Sequence, residues 1–330
     1  KFFLKKEKKM HQFENLNSYL IEEALNNLSF GEKEQISETL SIIPLIINIP
    51  LEKDLLTLSE AYGDSLVEIE ETGKVNRVTI KNLSNKALLL TNGDILEGAK
   101  QNRTLNDSTL LPAKGSFDID VSCVEQNRWS AHYGEFTPSK DHHNFMAKGN
   151  KMNEVNRSKL ETGTKHANQS NIWRDVQAKQ EKLNVNSRTQ SINDSYRSVR
   201  SELRDYSRNI KNVPNQVGLL FYIKNTCLGM ETFANPRLWR TYSNKILKSI
   251  LIDAIEIERD TRRQMFQTVS TEREIYNKFY NYMKSLKERV IKGPYLGEEV
   301  VMNYPDLDFT ASGIHWEGSM IHLNAFQKIT

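Results

Sequence analysis

Residues with chemical potential concentrate between Gly93 and Trp129. The candidate ligand-binding residues in this stretch are Lys100, Gln101, Asn102, Arg103, Asn106, Cys123, Arg128 and Trp129. Lysine and arginine side chains only donate hydrogen bonds, so a donor-rich run suits a phosphate or a nucleotide. An aromatic ring such as that of Trp129 can stack on a base or a sugar. The alternative interpretation of this stretch is a solvated surface turn.

Strand alternation from residue 117 to 126 predicts that Glu125 shares a face with the apolar residues before it. A carboxylate on a buried face needs a partner, and Arg103 and Arg128 are the nearest candidates. Glu125 therefore either forms a structural pair with an arginine or serves a site. In a site, Glu125 or Asp94 would act as general base or bind ribose hydroxyls. Cys123 lies on the apolar face, which favours a packed thiol over a nucleophile.

Apolar periodicity fails from residue 130 to 169, which predicts a long polar loop. This segment contains His132, His142, His143 and His166. A metal site needs three or four ligands at fixed spacing, so we interpret these histidines as solvated loop residues and predict no metal. His132 follows Trp129 closely and is retained as a candidate general acid or base, because histidine titrates near neutral pH.

Short strand-like segments follow one another from residue 39 to 124 without crossover helices. This pattern predicts an α+β fold with a mainly antiparallel β body and helices packed on it. Helices are predicted at 172–183 and 192–210, and further helices start at Asn235-Pro236 and Thr271. Residues 1–28 are predicted as a basic N-terminal extension with a helix, and residues 29–330 as one α+β domain that includes the 130–169 loop.

Two segments carry a family resemblance: TNGDILEGAKQNRTLNDSTLLPA and DIDVSCVEQNRW. They resemble the signature of the ADP-ribosylglycohydrolase- and rhodanese-phosphatase-associated protein domain family, and the resemblance extends from about Leu28 to the C-terminus. Gln169 and Trp173 match the family's Q-x-x-x-W element, which implies that both lie near the central site. Asp94 stands where the family tends to have Glu, and Asn127 replaces a usual Gly. The resemblance implies a place in nucleotide or ADP-ribose-linked biology.

Composition restricts the functional class. The chain has 330 residues, of which 38% are hydrophobic and 26% charged, as in globular proteins. Its two cysteines predict no disulfide framework and a cytoplasmic location. The absence of an apolar run near 18 residues predicts no membrane partner. The net charge of +3 is small, but residues 140–211 carry 15 Lys and Arg against 8 Asp and Glu.

The preferred functional hypothesis is binding, with hydrolysis as an extension, of a small anionic nucleotide-type ligand related to ADP-ribose or NAD. No phosphate-loop or dinucleotide motif is present, and no cofactor is predicted. One alternative is a non-catalytic interaction protein that docks a protein or a nucleic acid through residues 140–211. Another is a metal-dependent hydrolase that uses Asp94, Glu125 and His132. Nucleic acid is not the favoured partner, and a homo-oligomer is compatible with the sequence.

Overall fold

The computed structural model describes residues 19–128, 135–224, 226–260 and 271–329. The helices are α1 Leu20–Asn26, α2 Leu58–Gly63, α3 Phe145–Thr162, α4 Gln169–Lys182, α5 Ile192–Ser198, α6 Arg200–Asn209, α7 Pro236–Arg259 and α8 Glu272–Ser285. The strands are β1 Leu28–Phe30, β2 Glu34–Gln35, β3 Leu40–Ile47, β4 Leu55–Thr57, β5 Val67–Glu71, β6 Arg77–Asn82, β7 Ala87–Leu90, β8 Asp94–Gly98, β9 Arg103–Leu105, β10 Thr109–Leu111, β11 Gly115–Cys123, β12 Phe136–His142, β13 Gln216–Ile223, β14 Cys227–Phe233, β15 Arg289–Lys292, β16 Glu298–Tyr304, β17 Phe309–Trp316 and β18 Ser319–Lys328.

The largest sheet has nine strands in the order β1-β3-β13-β14-β18-β17-β16-β15, with β2 paired to β3. Its strands pair antiparallel. One face packs against α1 and α8 through a core that includes Ile21, Leu25, Tyr276 and Phe279. The opposite face packs against α3 and α7. Side chains therefore cover both faces of this sheet.

A second β unit lies next to the nine-stranded sheet. It consists of a six-stranded sheet, β12-β8-β9-β11-β6-β5, and a three-stranded sheet, β10-β7-β4. Within the described strands, the pairing of β4 with β7 is the one parallel pair. Leu58 of α2 belongs to the apolar core of this unit together with residues such as Ile69, Ile80 and Leu88.

Helices α3 and α7 contact both β units. Helix α3 lies on β16, β17 and β18 of the large sheet, and its Lys151 reaches Thr104 and Leu105 of β9. Helix α7 packs on β13 and also on β12. The sequence-based prediction of an α+β fold with a mainly antiparallel β body is confirmed.

The predicted polar loop at 130–169 is wrong. Strand β12 and the 18-residue helix α3 occupy most of that segment. The inward face of α3 carries Lys148, Lys151 and Lys159, which are all buried. Lysines at the spacing normally taken by apolar residues hide the helical period from a hydrophobicity reading.

Helix-capping and turn signals later in the chain were more reliable than periodicity was at residues 130–169. Asn235 caps α7 by accepting a hydrogen bond from Leu238 N, and Thr271 forms a capping box with Glu274 at the start of α8. Glu317 makes the tight turn between β17 and β18 with a φ of 48°. The predicted domain boundary at residue 28 coincides with the start of β1, and the domain division stays a prediction.

Candidate functional site

The two sequence motifs meet at the turn between β8 and β9. Gly98 is required there, because its φ is +128° and an added Cβ would lie 2.5 Å from Glu135 O. Asn102 N donates to Glu125 Oε2 at 3.0 Å, which joins the donor-rich turn to the residues that follow β11. The two motif segments therefore lie together in the structure, and a common ligand pocket between them stays a prediction.

Arg128 closes this turn. Its Nε lies 3.0 Å from both carboxylate oxygens of Glu125, and its Nη2 lies 2.7 Å from Oε2. Its remaining donors reach Ala99 O at 2.6 Å, Gly98 O at 3.2 Å and Asn102 Oδ1 at 3.0 Å. We call the surrounding group the motif cluster, formed by Gln101, Asn102, Arg103, Cys123, Glu125, Arg128 and Gln169.

Arg103 is buried beside the Cys123 thiol. Its Nη1 lies 2.9 Å from Cys123 Sγ and 3.2 Å from Gln101 Oε1, and its Nη2 lies 3.7 Å from Glu71. Burial lowers the pKa of Arg103, with the charges of Cys123 and Glu71 opposing it. Burial also raises the pKa of Cys123, although the charge of Arg103 opposes this. The raised pKa keeps the thiol protonated.

Gln169 completes the end of β11. Its Oε1 accepts from Cys123 N and its Nε2 donates to Cys123 O, both at 2.8 Å. Gln101 Nε2 similarly donates to Gln126 O at 2.9 Å. These carboxamides satisfy backbone groups that the sheet leaves unpaired, so they hold the motif cluster in shape.

The other predicted site residues lie in different surroundings. Asn106 accepts from Ser122 Oγ at 2.7 Å and donates to Lys165 O at 2.9 Å. Lys100 is exposed, and Trp173 is partly buried on α4, with its Nε1 unpartnered within the described residues. Trp129 and His132 lie outside the described residues.

Asp94 does not belong to the motif cluster. Its carboxylate accepts from Thr91 N at 3.0 Å and Thr91 Oγ1 at 2.7 Å. Tyr242 and Lys245 of α7 also reach it, each at 3.3 Å. Asp94 begins β8, whereas Glu125 contacts Asn102 in the turn that follows β8. The structure therefore does not bring the two carboxylates together as a pair.

Gly93 lies at the centre of a second polar group. An added Cβ would lie 2.8 Å from His142 Nδ1 and 2.9 Å from the stem of Lys148, and its φ is +99°. Gly93 O accepts from His143 N at 2.8 Å. We call this group the lysine cluster, formed by Asn92, Gly93, Asp94, His142, His143, Lys148 and Lys151.

Two lysines of α3 enter the lysine cluster with different partners. Lys148 forms an ion pair with Glu231 of β14. Lys151 Nζ donates to Thr104 Oγ1 at 3.2 Å and to Leu105 O, and within the described residues no carboxylate lies within ion-pair distance. Burial and the charge of Lys148 hold the pKa of Lys151 well below its ordinary value, although Asp107 and Asp94 oppose this.

The lysine cluster also contains unpartnered polar atoms. Within the described residues, neither carboxamide atom of Asn92 nor either ring nitrogen of His143 has a hydrogen-bond partner, and His142 Nδ1 also lacks one. Each such buried group costs about 1–3 kcal/mol. Proteins usually satisfy these groups with ordered water or with a ligand. The lysine cluster therefore offers both donors and a titratable amine.

The predicted solvated state of His142 and His143 is wrong. Both side chains are fully buried, whereas His166 is exposed. Burial and the neighbouring lysines Lys148 and Lys151 hold the pKa of each buried histidine well below its ordinary value. The sequence-based prediction missed this because β12 and α3, which flank the pair, lack the apolar periodicity that predicts a strand or a helix.

A further ion-pair network fixes the end of α3. Lys159 lies 2.5 Å from Asp107 and 3.2 Å from Glu299, while Lys165 lies 3.0 Å and 2.6 Å from the same carboxylates. Burial would raise the pKa of Asp107, but Lys159 and Lys165 lower it overall. These two lysines and two carboxylates balance each other in charge, whereas Lys151 has no carboxylate within ion-pair distance in the described chain.

Within the described ranges, no group of three or more His, Cys, Asp or Glu side chains is placed to hold a metal ion. None of the described helices is long and apolar enough to cross a membrane. Both cysteines are free and buried.

The fold and these clusters define an α+β protein that buries several charged side chains, among them Lys148, Lys151 and Glu231, beside its apolar cores. The chain belongs to the ARG and Rhodanese-Phosphatase-superfamily-associated Protein domain family, whose family model matches residues 27–326. The resemblance derived from the two motif segments is confirmed. Comparison with curated proteins and with solved structures gave no match.

Proposed function

We propose that this protein binds a small anionic ligand of nucleotide type, related to ADP-ribose or NAD, with a phosphate held at the lysine cluster. The observation that carries the proposal is the buried amine of Lys151, which has only neutral acceptors at hydrogen-bond distance in the described chain. A phosphate would supply the missing negative charge.

The neighbouring groups suit the same ligand. Asn92 Nδ2 and the ring N–H of His143 are unpartnered donors within the described residues. Gly93 brings the backbone close to His142 and Lys148 without a side chain of its own. The family name associates the domain with ARG and rhodanese-phosphatase proteins, and the ADP-ribose link implied by the motif resemblance supports a nucleotide-type ligand.

The motif cluster would act mainly by positioning. Its Arg128 contacts Glu125, and its Arg103 contacts Glu71. Strand β8 runs from this cluster at Gly98 to the lysine cluster at Asp94. Direct ligand contacts by Arg103, Arg128 and the neighbouring predicted residues stay predictions. General-base roles for Glu125 and Asp94 also stay predictions, and each carboxylate already accepts several hydrogen bonds.

Binding should be coupled to protonation of Lys151. Because the pKa of Lys151 lies well below its ordinary value without a ligand, a bound phosphate would raise it and draw a proton from solution. Isothermal titration in two buffers with different heats of ionisation measures this uptake, with ADP-ribose, NAD and pyrophosphate as probes.

The variant Lys151→Met should weaken binding of the best probe by roughly tenfold or more, because it removes a charge-assisted hydrogen bond. It should also abolish the proton uptake. Lys140→Met is the matched control, since Lys140 is exposed on β12, and it should bind like the unmodified protein. Arg103→Ala, measured alongside, tests direct contact by the motif cluster. Absence of heat with all three probes, or unchanged binding by a folded Lys151→Met protein, would contradict the proposal.

The interaction-protein alternative has less support. Four lysines of the basic 140–211 region, Lys148, Lys151, Lys159 and Lys179, are buried and cannot form a surface for nucleic acid. The exposed arginines of α5 and α6 include Arg197, which pairs with Asp194. A metal-dependent hydrolase and a cytoplasmic location stay predictions; metal analysis of the purified protein tests the former.

A further inference from the structure

Three buried side chains beside the lysine cluster form a hydrogen-bonded relay. Ser108 Oγ lies 3.0 Å from His322 Nδ1, and His322 Nε2 lies 3.2 Å from Glu231 Oε1. These residues come from the β9–β10 turn, from β18 and from β14, so distant parts of the chain assemble the relay. Asn92 N donates to the same Ser108 oxygen at 2.9 Å, which joins the relay to the lysine cluster.

The charges around the relay define the direction of its hydrogen bonds. Burial would raise the pKa of Glu231, but Lys148 and His322 lower it overall, so the carboxylate is ionised. An ionised carboxylate only accepts, so His322 Nε2 carries the hydrogen that it donates to Glu231. In the tautomer that carries its hydrogen on Nε2, the Nδ1 atom of His322 is an acceptor, and the Ser108 hydroxyl donates to it.

We propose that Ser108 is a nucleophile, with His322 as its general base and Glu231 orienting the imidazole, and that it cleaves a carboxylic ester carried by an anionic, phosphate-bearing molecule. This inference rests on the proposed function, because the lysine cluster would hold the phosphate beside the serine. A hydroxyl, a base and an orienting acid within hydrogen-bond reach are the elements of serine-based acyl transfer.

The first step transfers the Ser108 proton to His322 Nδ1 while Oγ bonds to the ester carbon. The bond between that carbon and the alcohol oxygen then breaks, and His322 returns the proton to the departing alcohol. Water next attacks the acyl-serine, gives a proton to His322, and releases the carboxylic acid as Ser108 regains its hydrogen. Each step conserves atoms and charge and requires only water as co-reactant.

The developing oxyanion has candidate partners nearby. Asn92 Nδ2 is an unpartnered buried donor within the described residues, and its own backbone N–H already contacts Ser108 Oγ. Lys148 adds positive charge nearby, since it pairs with Oε2 of Glu231 while His322 contacts Oε1. Preorganised donors and charges in a buried site stabilise negative charge more strongly than the same groups in water.

The test uses diisopropyl fluorophosphate, a small electrophile that marks activated serines, on the intact protein, with mass spectrometry of the modified peptide. We expect modification at Ser108, its loss in Ser108→Ala, and a labelling rate about a hundredfold lower in His322→Gln. Ser249→Ala is the control, because Ser249 is equally buried but its hydroxyl bonds to Ile246 O of the same helix and, within the described residues, to no histidine. This variant should label normally.

An unmodified Ser108 after prolonged exposure, or equal labelling in a folded His322→Gln protein, would overturn the inference. Failure of the proposed nucleophile can be distinguished from failure of the proposed phosphate site. Labelling of Ser108 with no effect of Lys151→Met on nucleotide binding would reject the phosphate site and leave the nucleophile standing. Normal nucleotide binding without labelling would reject the nucleophile alone.

Discussion

Arg128 is the residue on which the motif cluster depends. It contacts the carboxylate of Glu125, the carbonyl oxygens of Gly98 and Ala99, and Asn102 Oδ1. Strand parity in the sequence predicted correctly that Glu125 would turn inward and need an arginine. The contacts now show that this pair also fixes the turn after β8.

Replacing Glu125 by Gln should destabilise the protein by about 3 kcal/mol, because it leaves the mostly buried guanidinium of Arg128 without its counter-charge. Urea unfolding measures the change in free energy. Glu68→Gln is the control, since Glu68 forms an exposed pair with Lys81 and exposed pairs contribute little. Equal stability of Glu125→Gln and the parent would show that the pair does not hold the turn.

At the scale of elements, α3 organises the interior. Its inward face presents lysines to Glu231 on β14, to β9 and to the carboxylates Asp107 and Glu299. Each contact joins this helix to a different strand or turn. The helix therefore connects the two β units through charged groups as well as through apolar packing.

Lys159→Met should destabilise the protein by about 2–4 kcal/mol, because it removes one of the two lysines that neutralise Asp107. Adding Asp107→Asn should restore part of this loss, since Asp107 and Glu299 then no longer share the single charge of Lys165. A double-mutant cycle in urea measures this coupling. Arg157→Met, on the exposed face of the same helix, should change stability little. Strictly additive effects of the two substitutions would contradict the network.

At the scale of the whole molecule, apolar cores cover the outer face of the large sheet, fill the second β unit and form the layer between them, and buried charged residues such as Lys148, Lys151 and Glu231 lie within that middle layer. Such an interior is sensitive to protonation. His142 and His143 lie at its centre, and burial with the neighbouring lysines keeps both pKa values well below 6.5.

Stability should fall as the pH drops below 6.5. In that range the unfolded chain binds protons on these histidines that the folded protein does not, so acid favours unfolding by up to about 1.4 kcal/mol per pH unit for each histidine. Urea unfolding at pH 6.5, 6.0 and 5.5 measures the slope. His143→Gln should reduce it, whereas His166→Gln, at an exposed position, should leave it unchanged. A slope unaffected by His143→Gln would contradict the assigned cause.

The sequence by itself determined the fold class, the helix starts at Asn235 and Thr271, the family and the need of Glu125 for an arginine partner. Those features depend on short-range rules: alternation along a strand, capping side chains and long uninterrupted motif segments. Such rules act over a few residues and can be read without knowing what lies across the core.

Only the tertiary structure decided that α3 is a helix with buried lysines and that Ser108, His322 and Glu231 come together. A titratable residue within an apolar strand was one sequence signal for a buried polar group, as at Glu231 in β14 and at His322 in β18. Whether such a residue faces water or the interior depends on a partner that is distant in the chain, because a buried charge persists only where the fold supplies its counter-charge or its ligand.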